Sequence, residues 1–382
     1  MIRRPIVLAL LALLAAGLAL AACHKNPASE TPVDEHGSPV YVDIGGGQFK
    51  LTKAYYDLAL ERAGPIFRGQ FETPAGKRDY LDRLVYEAVY YLEGLRKKYD
   101  RKTEFKNLYN LRLFQGVLDE FRSDLRKKLV ITDDQLRAEY DRLMKGKAGA
   151  KPFETMKTAV RNMLEMRLVE EAYQAKKQGL LKDWQIKYHY DLLNRLLPSK
   201  PNPDDVPRLD EVLAEGANGY KYTVGQLAKR IEELPEEVKQ RLRQPGGDAK
   251  ARLEFVVGED VLFTWAVREG LDKTASYQLR KLIIEVVILS QITRAEIIGN
   301  DIVASGDEAK RYYDLHKHNF TRSNGQVVPF EEVRAKILSD LTEHKRLDAM
   351  KSLAKSLMAH RFPTVYYEAN IKKYLIGAPD AH

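Results

Sequence analysis

Few side chains in this sequence are spaced for covalent or metal chemistry. Cys23 is the one cysteine among 382 residues. No disulfide can therefore form within the chain, and zinc sites and thiol redox pairs lack the further ligands they need. His316 and His318 stand beside Asp314 in "DLHKH". Alternating spacing at a helix end points the two imidazoles apart, which reads as a solvated turn rather than a metal site. Gly45–Gly47 is not followed by a helix carrying Lys-Ser or Lys-Thr, as a phosphate loop requires. No Gly-x-Ser-x-Gly elbow occurs, so nucleophilic catalysis lacks a nucleophile. Glu285 lies inside the apolar run "LIIEVVIL", where an acid either reaches solvent or pairs with a neighbouring Arg. No catalytic residue, cofactor or metal is expected.

The residues before Cys23 give it another use. Arg3 and Arg4 precede Pro5–Ala22, which is uncharged and almost wholly apolar. That is the layout of a secretory signal. It falls slightly short of the about 20 apolar residues needed to cross ~30 Å of hydrocarbon. Leu20-Ala21-Ala22-Cys23 resembles the bacterial lipobox. The resemblance implies cleavage after residue 22 and diacylation of the Cys23 sulfur, with palmitate-type chains. An uncleaved anchor and an ordinary signal with a free thiol are the alternatives. His24 follows where an Asp would favour the inner membrane, so the resemblance implies an outer-membrane anchor facing the periplasm. Residues 23–40 hold "HKNPASETPVDEHGSP", without periodicity and rich in Pro, Ser, Thr and acids. They read as a disordered tether.

The formal charge of +8 falls to about +6 when Arg3 and Arg4 leave with residues 1–22. With 30% charged residues of both signs and no dense Lys/Arg run interleaved with aromatics, nucleic-acid binding is not expected. "LPSKPNPDDVPRLDE" carries four prolines and reads as a linker over residues 198–215.

The two sides of that linker repeat each other. "FKLT" at 49–52 answers to "YKYT" at 220–223, and "LVYEAVYYLEGL" at 84–95 to "VVGEDVLFTWAV" at 256–267. "VITDDQLRAEYD" at 130–141 matches "VASGDEAKRYYD" at 303–314, and "PFETM" at 152–156 matches "PFEEV" at 329–333. "YHYD" at 188–191 recurs as "VYYE" at 365–368. The order persists along both halves, which argues for a duplication: repeat 1 over 41–197 and repeat 2 over 216–377, each expected to fold as its own lobe. Apolar residues keep helical spacing at Leu81–Leu95 and Leu108–Leu129. Thr132-x-x-Gln135 and Ser305-x-x-Glu308 are capping boxes that start the same helix twice. Short strands are expected at "VYVDIG" and near "QIKYHY", and "LIIEVVIL" is read as helix because its counterpart in repeat 1 is one.

These motifs resemble the SurA/PrsA-type periplasmic foldases, the parvulin-associated chaperones. Val130–Leu136 with Tyr140 matches that family's "V-T-D-E-E-L-x-x-Y-Y" helix start, and Phe153-Glu154 with Met156, Val160 and Leu164 matches its "F-E-E-V-K-x-x-I-x-x-x-L" return helix. Both recur in the second copy. Family members carry a parvulin isomerase between the two motifs. Here only "DRLMKGKAGAKP" and "DLHKHNFTRSNGQVVP" fill the gaps, where a parvulin domain needs roughly a hundred residues. The resemblance implies a mostly α chain of two tandem SurA N-terminal-like lobes without the isomerase.

Tyr86, Tyr90 and Tyr91 border one apolar stripe, and Phe263 and Trp265 the equivalent one. Large amphipathic rings suit adaptable contact with unfolded chains, although such rings more often fill the core between helices. The expected function is a membrane-anchored chaperone or assembly factor that holds unfolded exported polypeptides without catalysis. A divergent prolyl isomerase and a dedicated adaptor lipoprotein in one secretion or surface-assembly pathway are the alternatives.

Overall fold

A computed structural model describes residues 32–62, 69–144, 151–192, 208–232, 249–299, 301–322 and 325–377. The signal, Cys23 and the tether up to residue 31 lie outside the described residues, as does the linker up to residue 207. The described chain is mostly helical with two small antiparallel sheets. Its first half runs β1 (Val40–Ile44), β2 (Phe49–Thr52), α1 (Lys53–Leu60), α2 (Pro74–Arg96), α3 (Thr103–Lys128), α4 (Asp133–Met144), α5 (Phe153–Asp183) and β3 (Lys187–Tyr188). Its second half repeats that order: β4 (Val212–Glu215), β5 (Lys221–Thr223), α6 (Val224–Glu232), α7 (Ala249–Arg268), α8 (Ala275–Ile298), α9 (Gly306–Leu315), α10 (Phe330–His360) and β6 (Thr364–Tyr366).

Local signals account for most element ends. Ser305 and Glu308 form the expected reciprocal cap on α9. Thr132 Oγ1 accepts from Gln135 N at 3.3 Å while Gln135 Oε1 accepts from Thr132 N at 2.9 Å, opening α4. Thr223 and Gln226 make a third such box at α6, not anticipated from the sequence. "LIIEVVIL" is helical, inside α8.

The two halves are not separate lobes. Each closing strand crosses to the other half's hairpin. β6 pairs with β1, Val42 opposite Tyr366 and Ile44 opposite Thr364, and β3 pairs with β4, Tyr188 opposite Ala214. The helices follow the same exchange: α8 packs on α2, α7 on α3, α10 on α2 and α5 on α7. One core therefore combines Leu84, Val85 and Val89 of α2 with Val286 and Leu289 of α8 and Leu357 of α10. The other combines Phe121 of α3 and Tyr173 of α5 with Tyr222 of β5 and Val257 and Val261 of α7. The expectation of two independent lobes is corrected for a physical reason. Helical spacing specifies which face is buried, not which helix covers it.

The crossing of α2 and α8 is close. A Cβ built on Gly94 would lie 2.3 Å from Thr293 Oγ1 and 2.7 Å from Leu289 Cγ, so only glycine lets the two backbones approach this far.

Two boundaries also shift. Residues 32–40 of the expected tether are folded, because Asp34 Oδ1 accepts from His36 N and Ser38 N in an Asx turn. Asn370 then fixes that turn by donating to the carbonyls of Pro32 and Val40. Residues 212–215 of the expected linker are strand β4, with Leu213 and Ala214 fully buried against β5.

Candidate functional site

Two features stand out from this interlocked frame. The first is a pair of helical arms, α4 with α5 and α9 with α10. Each has a small core of its own: Leu136, Val160 and Leu164 in one, Ala309, Tyr313 and Ile337 in the other. The repeated tyrosine and phenylalanine close both arms in the same way. Tyr140 stacks edge-on against Phe153 and donates its hydroxyl to the Lys151 carbonyl at 2.6 Å. Tyr313 packs on Phe330 and donates to the Val328 carbonyl at 2.5 Å. Beyond those cores the arms and their surroundings hold large apolar side chains in solvent: Met163 and Met166 on α5, Leu347 on α10 and Phe255 on α7.

Glu139 fastens the first arm. It is buried, and Arg142 and Arg167 donate to its two oxygens at 2.6 and 3.0 Å. The Arg142 hydrogen bond, with Arg167 beside it, holds its carboxyl down at about 2 against burial. A carboxylate depressed in the folded state stabilises above its unfolded pKa, near 4.5, and that contribution is lost as pH falls through about 2. Amide protection factors in α4, taken against the intrinsic rate at each pH, should thus be high at pH 6 and fall progressively below pH 4.5. Glu139→Gln should be weaker at pH 6 and show a flatter profile. An unchanged acid profile in Glu139→Gln would assign the loss to another group.

The second feature is a groove of about 550 Å³ between α3, α6 and α7, closed at one end by the start of α8. Its floor is apolar: Phe114 and Phe263 stack with centroids 4.6 Å apart, beside Val117, Val267 and Tyr277. Its rim is polar. Gln226 and Lys229 of α6 and Asn110 of α3 are exposed along it. Arg230 lays its guanidinium 3.4 Å from the Phe114 centroid. Asp260 sits lower, accepting from the Tyr220 hydroxyl at 2.8 Å. Burial pushes its carboxyl up, opposed by that hydrogen bond and by Arg230.

The candidate contact residues fall on both sides of the exposure divide. Phe263 forms the groove floor. Trp265 is half-buried, edge-on to Phe121 with Lys176 Nζ 4.1 Å from its ring. Tyr90 and Tyr91 belong to the core instead. Tyr90 donates to the Met350 carbonyl and Tyr91 donates to Glu285 Oε1 at 3.3 Å. Tyr86 is half-buried at the edge of the same core. Glu285 consequently has a tyrosine for a partner, not an Arg, and burial pushes its carboxyl up. His316 stacks on Tyr312 and bonds its carbonyl, with His318 exposed nearby. Gly45–Gly47 make the β1–β2 turn, all three at positive φ.

Among the described residues no group of three or more His, Cys, Asp or Glu could hold a metal ion, and no helix is long and apolar enough to cross a membrane. The groove residues Gln226, Lys229, Arg230 and Asp260 carried no sequence motif. Their signal lay in the comparison of the two repeats, "TVGQLAKRI" against "TKAYYDLAL" for the first three and "VVGEDVLFTWAV" against "LVYEAVYYLEGL" for Asp260. Comparison with protein-family models, with curated proteins and with solved structures finds no match to this chain.

Proposed function

We propose that the protein is a lipid-anchored factor of the cell envelope that holds unfolded or partly folded exported polypeptides without catalysing their isomerisation. Cys23 is the anchor, facing the periplasm from the outer membrane, and the frame is a SurA-like one duplicated without the parvulin insert. The observation that carries this reading is the pair of arms. Each is closed on itself by a tyrosine–carbonyl bond where a family member would open into an isomerase. Each also keeps thioether or leucine side chains in solvent, at Met163, Met166 and Leu347. Methionine is unbranched and polarisable, so it adapts to varied apolar surfaces.

The mature chain in detergent is expected to suppress aggregation of a denatured exported protein at near-stoichiometric ratio. Met163→Ser/Met166→Ser/Leu347→Ser should need several-fold more protein for the same effect, with an unchanged far-UV spectrum. A protease-coupled prolyl peptide assay should show no acceleration of an isomerisation whose barrier is ~18–20 kcal/mol. Robust acceleration would turn the reading to a divergent isomerase. Tight binding of one folded partner with no hold on denatured chains would turn it to an adaptor. The anchor has its own test: Cys23→Ser should leave an unacylated precursor, and processing and acylation as before would remove the lipobox from the argument.

A further inference from the structure

The groove has a counterpart on the other side of the frame, and the counterpart is shut. Thr52 caps α1 by accepting from Tyr55 N at 3.2 Å, and Thr223 caps α6 by accepting from Gln226 N at 3.3 Å. The caps place the two helices 171 residues apart, 223 less 52. Tyr55, Leu58 and Ala59 thus stand where Gln226, Lys229 and Arg230 stand in the second copy. In the first copy those three are buried and α1 lies down on α8. In the second copy α6 makes no comparable contact with α3. It reaches across through Arg230, over the Phe114 ring.

The floor changes with the lid. The N-caps Lys102 and Thr274 set α3 and α8 in register 172 apart, so exposed Asn110 answers to Leu282. The aligned segments 84–95 and 256–267 place Asp260 where Ala88 is fully buried in the other copy. Five apolar positions of a closed seam have become an amide, two cations, an amide and an acid around an open groove. Folding alone favours the closed version, and departures of this kind from consistent packing mark binding sites.

The geometry points to an occupant: an extended peptide segment that presents an acidic side chain next to a large apolar one. This rests on the reading of the protein as a holder of exported polypeptides. The apolar side chain would lie on the stacked Phe114–Phe263 pair. The carboxylate would meet Lys229, which is exposed on the groove rim next to Arg230. Two amides line the groove. Gln226 Oε1 is occupied by Thr223 N, which leaves its Nε2 to donate, and Asn110 offers both a donor and an acceptor to a peptide backbone. Asp260 and Asp272 lie on the groove wall and repel an acid placed there, so the carboxylate belongs at the Lys229 rim.

The probe is a fluorescein-labelled decapeptide of alternating Phe-Glu pairs, with a Phe-Lys version as control, titrated against the mature chain by anisotropy. The acidic peptide should bind at least tenfold more tightly than the basic one, and Lys229→Glu should erase or reverse that preference. Gln226→Tyr/Lys229→Leu/Arg230→Ala rebuilds the first copy's lid. It should raise the melting temperature and abolish peptide binding. No binding by the wild-type chain overturns the proposal. So does a charge preference untouched by Lys229→Glu, or phenylpropionate competing as well as the peptide. Aggregation assays run in parallel separate this from the function it rests on. A rebuilt-lid variant that still binds the peptide sinks the groove alone. A wild-type chain that binds the peptide yet holds no denatured protein keeps the groove and sinks the general holder.

Discussion

Produced apart, residues 32–192 and residues 208–377 are expected to be unfolded or insoluble, and produced together they are expected to assemble into one stable heterodimer. Each half lacks half of every layer it needs. In residues 32–192, α2 would lose α8 and α10, the source of Val286, Leu289 and Leu357 in its core, and β1 would lose its partner strand β6. In residues 208–377, α7 would lose α3 and α5, and β4 would lose β3. Burial of a single Leu, Ile or Phe side chain contributes roughly 1.5–3 kcal/mol, and a domain is stable by only about 5–15 kcal/mol. Losing three such partners from one core removes about 4.5–9 kcal/mol, comparable to that margin before the lost strand pairing is added. Circular dichroism and size exclusion of each piece, alone and co-purified, check the outcome. A cooperative, monomeric fold of residues 32–192 alone would show that the exchange of helices is dispensable and restore the picture of independent lobes.

That picture came from reading each repeat as self-contained, and its failure shows what a sequence carries. Caps are local contacts, three residues from donor to acceptor, so Ser305–Glu308 and Thr132–Gln135 were legible directly. The repeated Tyr140–Phe153 and Tyr313–Phe330 pairs were visible as a motif, and their arms formed where the motif fell. The exchange was not legible, because Leu84 and Val89 show the same spacing whether α8 or α3 covers them. Tyr90 and Tyr91 illustrate the same limit. A tyrosine bordering an apolar stripe is equally suited to a client or to a carbonyl on a distant helix, and Met350, 260 residues away, decided it. The groove lay between these cases. Gln226, Lys229 and Arg230 by themselves make an ordinary polar helix face, and only the buried Tyr55, Leu58 and Ala59 of α1 show that the fold can close over those positions.

Lys177→Met should destabilise the protein by about 3–5 kcal/mol, the usual result of leaving a buried charge without its partner. Lys177 is on α5 and Glu259 on α7, so their 2.8 Å ion pair ties the two repeats together, with side-chain exposures of 7% and 15%. Tyr173, fully buried, donates to the same carboxylate at 2.5 Å. Removing the ammonium leaves an acid held by one hydroxyl in a nearly closed seam. The opposite crossing shows that the ion pair is not needed for the seam itself. Phe153 and Phe330 each follow a proline N-cap, which sets α5 and α10 in register 177 apart, so Ala354 and Met350 stand where Lys177 and Tyr173 do. Glu87, which answers to Glu259, turns instead to Arg62. Lys177→Met/Glu259→Leu/Tyr173→Phe should therefore recover most of the loss, to within about 1 kcal/mol of the native protein, because all three polar groups leave together. Urea denaturation of the single and triple variants measures both values. A single variant within about 1 kcal/mol of native, a loss typical of an exposed pair, would mean that the charges are hydrated in solution and that packing alone joins the repeats at this crossing.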